Sequence, residues 1–272
     1  MSEQIKFKTE KKLIEGLAEA ASEQGKREYQ EDRFIVSKKE ISPKESGWLL
    51  SVMDGHGGSK VSQYLKDNLE KVFDEEVAKN ENGKVDLDTL KRAFASLNTQ
   101  TQDIRRAGST LALVYISETQ SAVFVAVIGD SVVFIKEYDG EVNISPEHNV
   151  LTNESERREA VNRGGYYNND SGYIMDSKGS GLMLSRSMGD ADMGSIISKE
   201  PDLYSRDLGP NSFVAVGSDG IIGHQSSGES GPKDRIINML ENGASPEDLV
   251  KDALKRETGD NVTAIIWRDG EL

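Results

Sequence analysis

The stretch SVMDGHGGSK, residues 51–60, completes an apolar run, Trp48-Leu49-Leu50-Ser51-Val52-Met53, and ends it on a carboxylate, Asp54, followed by Gly55, His56 and two further glycines. A short continuous apolar run bounded by turn residues reads as a buried strand. Taken alone, Asp-Gly is a chain reversal, since Asp bonds its own backbone and Gly accepts unusual φ. Other carboxylates occupy similar places, however. Glu31-Asp32 precede the strand-like Arg33-Phe34-Ile35-Val36, Asp219 ends FVAVGSDG, and Asp260 precedes NVTAIIW. In a layered sheet such strand ends can meet at one edge although they lie far apart in sequence. Two carboxylates at ~4 Å repel by roughly 4 kcal/mol at an effective dielectric of 20, so a cluster of them requires metal or protons. With no cysteine and three histidines (His56, His148, His224), hard oxygen ligands point to Mg²⁺ or Mn²⁺ rather than Zn²⁺ or Cu²⁺.

The rest of the composition narrows the function classes. A formal net charge of −14 argues against a general nucleic-acid partner, because phosphate backbones are bound by Lys and Arg. The lack of cysteine removes a disulfide framework, a thiolate metal site and a thiolate nucleophile. No segment approaches the roughly 20 apolar residues of a membrane span, and the polar start MSEQIKFKTEKKL has no apolar core of the secretory kind. The expectation is a cytoplasmic, monomeric protein with no membrane partner. No long linker divides the 272 residues, so a single domain is expected over 1–272.

Strand signals recur along the chain. SAVFVAVIGDSVVFIKEYDG, residues 121–140, has two β-branched and aromatic runs around Gly129-Asp130 and predicts a tight hairpin with Asp130 at its tip. Further strands are expected over 109–116, 213–217 and 262–267. Helices are expected over 60–77 and 85–104, from Asn153 (a capping box with Glu156) to Gly164-Gly165, and after Ser245-Pro246. Hairpin-paired strands with helical runs early and late predict an α+β fold of packed sheets covered by helices.

Seven segments together carry a family resemblance: GKREYQEDRF, VMDGHGG, AGSTLALVYI, VAVIGDSVVF, LMLSRSMGD, VAVGSDGI and GDNVTAIIW. In that order they resemble the PPM/PP2C family of metal-dependent protein serine/threonine phosphatases. The resemblance implies a four-layer αββα sandwich, a central antiparallel β-sandwich flanked by helices, with two bridged divalent cations, Mn²⁺ or Mg²⁺, at one edge. It implies that Asp54 bridges both ions, that Glu31, Asp32 and the Gly55 carbonyl support them directly or through water, and that Asp219 and Asp260 complete the set. Arg27 matches the family's phosphate-binding arginine and His56 the residue that protonates the leaving group. The substrate implied is a phosphorylated protein, hydrolysed at phosphoserine or phosphothreonine by a hydroxide generated between the two ions. A guanidinium fork suits phosphate, and an imidazole suits a general acid.

Plainer roles exist for single residues: Arg27 as a solvated charge, His56 as a turn residue, His148 as a structural group. The pattern also departs from the family. Four residues after Asp219 the family often has another Asp that helps hold a third, weaker ion together with the residue matched by Asp130; here that position is Gly223. The flap segment, 164–181, is rich in Asn, Asp, Ser and Gly and is where substrate choice is expected to lie. Two other functions fit the same fold, an inactive phosphatase-like scaffold and a hydrolase of small phosphoesters. Retention of Glu31, Asp32, Asp54, Asp219 and Asp260 favours the enzyme over the scaffold.

Overall fold

In the computed structural model, which describes residues 10–14, 17–222 and 231–270, the run ending on Asp54 is the strand Glu45–Met53. It is buried at nearly every position because both its faces are covered. Trp48, Leu50 and Val52 point into the core between two sheets, and Leu49 and Met53 into the core beneath two helices.

The strand belongs to a five-stranded sheet ordered Asp202–Asp207, Ala122–Ile128, Leu111–Ser117, Glu45–Met53, Arg33–Ser42, with antiparallel neighbours throughout. A six-stranded sheet faces it, ordered Glu10–Ile14, Ala18–Glu23, Val262–Arg268, Phe213–Gly217, Val132–Lys136, Val142–Ile144. Helices α1 (Lys60–Val77) and α2 (Leu87–Thr101) cover the first sheet. A shorter helix, α3 (Glu154–Asn162), belongs to the flap, while α4 (Pro232–Glu241) and α5 (Pro246–Lys255) cover the second sheet. This is the expected αββα sandwich, with the apolar faces of both sheets buried against each other and against helices.

Local sequence sets several boundaries. Asp86 caps α2 in a reciprocal box with Thr89, so the helix starts inside the anticipated 85–104. Ser245 and Asp248 form the same box on α5. At α3, Asn153 accepts from the backbone N–H groups of Ser155 and Glu156, but the expected reciprocal bond is absent. The Glu156 carboxylate instead takes Ser185 and Arg186. Helix α4 was not anticipated; its opening signal is Pro232 in the first turn.

The expected hairpin around Gly129-Asp130 is corrected. Ala122–Ile128 and Val132–Lys136 do not pair; they lie in opposite sheets. Val125 and Val127 on one side and Val133 and Ile135 on the other all face the inter-sheet core, so the chain crosses the sandwich edge instead of folding back on itself. Gly129 makes the corner at φ +94°, where a Cβ would sit 2.5 Å from Thr110 Cγ2. Asp130 is thereby placed at the edge of the sandwich between the two sheets.

Candidate active site

The predicted carboxylates meet at that edge. Asp54 follows the last residue of its strand, and Thr110, at the start of the neighbouring strand, fixes it: the Asp54 N–H donates to Thr110 Oγ1 at 2.9 Å, and the Thr110 N–H to the Asp54 carbonyl at 2.9 Å. Asp32 is buried just before Arg33–Ser42. Its Oδ2 accepts from Ser218 Oγ (2.8 Å) and Thr263 Oγ1 (2.7 Å), both from the opposite sheet. Asn261 ties Glu31 into the group by accepting its N–H at 2.8 Å and donating to the carbonyls of Gln24 and Tyr29. The Glu31 carboxylate faces a turn, where Oε1 accepts the Gly58 N–H at 2.6 Å. Gly55 pairs with Ser109 in a small three-stranded sheet.

These carboxyls repel one another. Burial, opposed by the hydrogen bonds from Thr263 and Ser218, pushes Asp32 up to about 6, and the charge of Asp260 adds to the rise. Burial raises Asp54 well above the carboxylate range, and Asp32, Asp219, Asp130 and Asp260 raise it further. Asp219 is raised in the same way, by burial first and then by Asp130, Asp260 and Asp32. Burial also raises Asp130, against a 2.9 Å hydrogen bond from Asn149. Asp32 Oδ1 and Asp219 Oδ1 are buried without a hydrogen-bond partner.

Such orphaned, desolvated oxygens need a proton or a cation. Among the described residues no three acidic or imidazole groups already stand around a common point as a finished metal cage. After burial, the charges of Asp32 and Asp219 act most strongly on the Asp54 carboxyl. The donor set, all hard oxygen, fits Mg²⁺ or Mn²⁺.

Asp54, Asp130, Asp219 and Asp260 line a cavity of about 240 Å³ together with Arg27 and His56. Arg27, about half exposed, donates from Nη2 to Asp260 Oδ2 at 2.5 Å and from Nε to the Gly259 carbonyl at 3.1 Å. A larger cavity of about 330 Å³ is also lined by Asp130 and Asp219, with Glu147, Pro232 and Lys233 among others. It lacks Arg27 and His56, and Lys233 is already paired with Glu147 at 2.7 Å, so the smaller cavity is the one that joins the carboxylates to Arg27 and His56. Gly223 and His224, on which the third-ion question turns, lie outside the described residues.

The segment LMLSRSMGD supplies a further residue of the site at its end, one that nothing local in the sequence marks. Asp190 is buried in a left-handed conformation (φ +50°), and its Oδ2 is 2.8 Å from His56 Nε2 and accepts from Ser187 Oγ. A carboxylate oxygen can only accept here, so His56 donates from Nε2. Gly108 lies beneath the pair: a Cβ there would be 2.1 Å from Asp190 Oδ2 and 2.4 Å from His56 Nε2. Lys199 holds the loop by donating to the carbonyls of Ser187 (2.9 Å) and Gly189 (2.6 Å), and burial pushes its ammonium down to about 8. Polar residues inside apolar runs, Ser218, Thr263 and Thr110, were the available signal for the second layer of this site. His148, fully buried, accepts the Gly129 N–H and donates to Asp202, so it holds the crossover in place.

Comparison with known proteins agrees with the geometry. Residues 18–262 match the family Protein phosphatase 2C, and the chain belongs to that phosphatase family. It is 26% identical over 240 residues to a probable protein phosphatase 2C of Oryza sativa subsp. japonica, spanning 88% of this chain and 82% of the relative. A probable protein phosphatase 2C of Arabidopsis thaliana is likewise 26% identical, over 89% of this chain and 84% of its own. Among solved structures, a serine-threonine phosphatase 2C from Toxoplasma gondii shares the fold with a TM-score of 0.70 at 18% identity, covering 97% of this chain and 98% of that one.

Proposed function

We propose that this protein is a metal-dependent protein serine/threonine phosphatase that hydrolyses phosphoserine and phosphothreonine without a covalent intermediate. The observation that carries this reading is the packing of Asp32, Asp54 and Asp219 with two orphaned carboxylate oxygens beside Arg27 and His56 in one cavity. Two divalent cations held by Asp54, Asp219, Asp260 and Asp32, supported by Glu31 and the Gly55 carbonyl, would neutralise phosphoryl charge and lower the pKa of the attacking water.

The remaining work falls to the chain itself. Arg27, released in part from Asp260, grips phosphoryl oxygens through its planar fork. His56, with Nε2 bound to Asp190, has Nδ1 to deliver a proton to the departing serine or threonine oxygen. Ser218 and Thr263 hold Asp32 by Oδ2 and leave Oδ1 for a ligand. A weaker third ion at Asp130 belongs to the same reading. A cytoplasmic monomer acting on phosphoproteins is the setting proposed.

The test is turnover of a phosphothreonine peptide by the purified protein with Mn²⁺, with Mg²⁺ and with excess chelator. Release of phosphate that needs the metal and resists thiol reagents is expected. Full activity in chelator, or no turnover with either ion, would overturn the reading.

A further inference from the structure

The flap is a three-stranded sheet, Tyr166–Asn168, Tyr173–Met175 and Gly181–Leu182, and large apolar side chains stand on both of its faces. Tyr167, Ile174 and Leu182 pack inward with Val150, Ala160 and Ile196. Side chains alternate along a strand and paired residues share a face. Tyr166 opposite Met175 and Tyr173 opposite Asn168 therefore form the outer face. That face has no cover: Tyr166 is 52% exposed, Tyr173 38%, and Met183 just beyond the third strand 37%. Large apolar side chains exposed together mark a contact surface rather than scatter.

Its position decides what the surface contacts. Tyr173 and Met183 line the same cavity as Arg27, His56 and Asp54, so the outer face is continuous with the phosphate site. Whatever rests on it while the site is in use must be joined to the group held at Arg27. The cavity lining has one cation, Arg27, facing Asp54, Asp130, Asp219 and Asp260. On the flap side that lining is Tyr173, Gly181, Leu182, Met183 and Leu184, so an acidic flank lying along the flap would find no counter-charge among them. Tyr offers rigid contact area and Met an adaptable one, a combination suited to varied aliphatic or aromatic side chains.

Resting on the phosphatase reading above, we propose that Tyr173, Met183 and Tyr166 form a shelf that receives a large apolar side chain within three residues of the phosphorylated residue, making apolar-flanked, non-acidic segments the favoured substrates.

The experiment compares kcat/KM in Mn²⁺ for phosphothreonine peptides carrying Leu, Ala or Glu at each of the three positions on either side, using the wild type, Tyr173→Ser, Met183→Ser and the double variant. At one position or more, Leu is expected to exceed Ala and Glu by about tenfold in the wild type, the lower end for an apolar contact in a site. In the double variant the preference falls to about twofold or less. The substituted positions are exposed, and unchanged circular dichroism with either single variant keeps the comparison valid. Turnover with a flat profile, or a preference that survives the double variant, overturns the shelf and leaves the phosphatase standing. No turnover of any phosphopeptide overturns both. If sedimentation shows a dimer that the double variant dissociates while peptide preference persists, the surface serves a second copy of the chain and the proposal fails.

Discussion

His56 and Asp190 show how one buried contact can divide labour within a site. With Nε2 committed to Asp190 at 2.8 Å, the imidazole is held in one orientation, and Asp190 acts as a positioning residue. Asp190→Asn should lower kcat for a phosphothreonine peptide by tenfold or more, within the roughly 10²–10⁴ that general acid catalysis provides, and should affect an aryl phosphate far less. Equal losses on both substrates would assign Asp190 a purely structural role. Asp54 is expected to oppose stability and serve function. Because the charges of Asp32, Asp219, Asp130 and Asp260 all act against it, Asp54→Asn should raise the melting temperature of the metal-free protein, by about 2–4 °C for each kcal/mol of repulsion relieved. The same change should remove activity and the stabilisation that Mn²⁺ gives the wild type. A metal-free variant that melts lower than the wild type would contradict this.

At the scale of elements, the flap depends on a small ionic anchor. Glu156 on α3 binds Arg186 at 2.5 Å and Ser185 at 2.5 Å, and Arg186 also reaches Asp202, which accepts from His148. The hydrogen bond from His148 lowers the Asp202 carboxyl, and the charge of Arg186 adds to that. Burial pushes Glu156 up, but its bonds to Arg186 and Ser185 bring it below the ordinary range. A carboxyl depressed in the folded state stabilises at pH above its unfolded value, and that stability is lost as pH falls through the folded value. The flap and α3 should therefore loosen when pH drops below the ordinary carboxylate range, ahead of the sandwich. Hydrogen exchange of 154–182 measured against Leu111–Ser117 would show it; equal protection at all pH values would count against the anchor.

For the whole molecule, both termini of the described chain meet in one sheet. Val262–Arg268 lies between Ala18–Glu23 and Phe213–Gly217, so the sheet cannot form until nearly the entire sequence is present. Trp48 and Trp267, the chain's two tryptophans, are both buried in the core between the sheets. If residues 1–272 fold as one unit, tryptophan fluorescence and far-ultraviolet circular dichroism should report one coincident thermal transition, and Mn²⁺ should move both by the same amount. Two separated transitions would divide the chain into independent units.

The carboxylate set could be read from the sequence because each member stands next to an apolar run, and period and punctuation are local properties of the chain. Helix α1 and the caps at Asn153 and Ser245 were legible for the same reason: a cap is made by residues within one turn of each other. Strand pairing is not local. The two runs around Gly129 have the composition of a hairpin, yet each is held by partners distant in sequence, and only burial of Val125, Val127, Val133 and Ile135 in a shared core decides that they belong to different sheets. The partnership of His56 with Asp190, 134 residues apart, was hidden likewise, as were the hold of Ser218 and Thr263 on Asp32 and the placement of Tyr173 and Met183 beside the carboxylate cavity. Sequence specified which groups carry charge and where strands stop; the tertiary fold alone, by removing water from those strand ends and setting them side by side, turned separate carboxylates into a site that requires a cation or a proton.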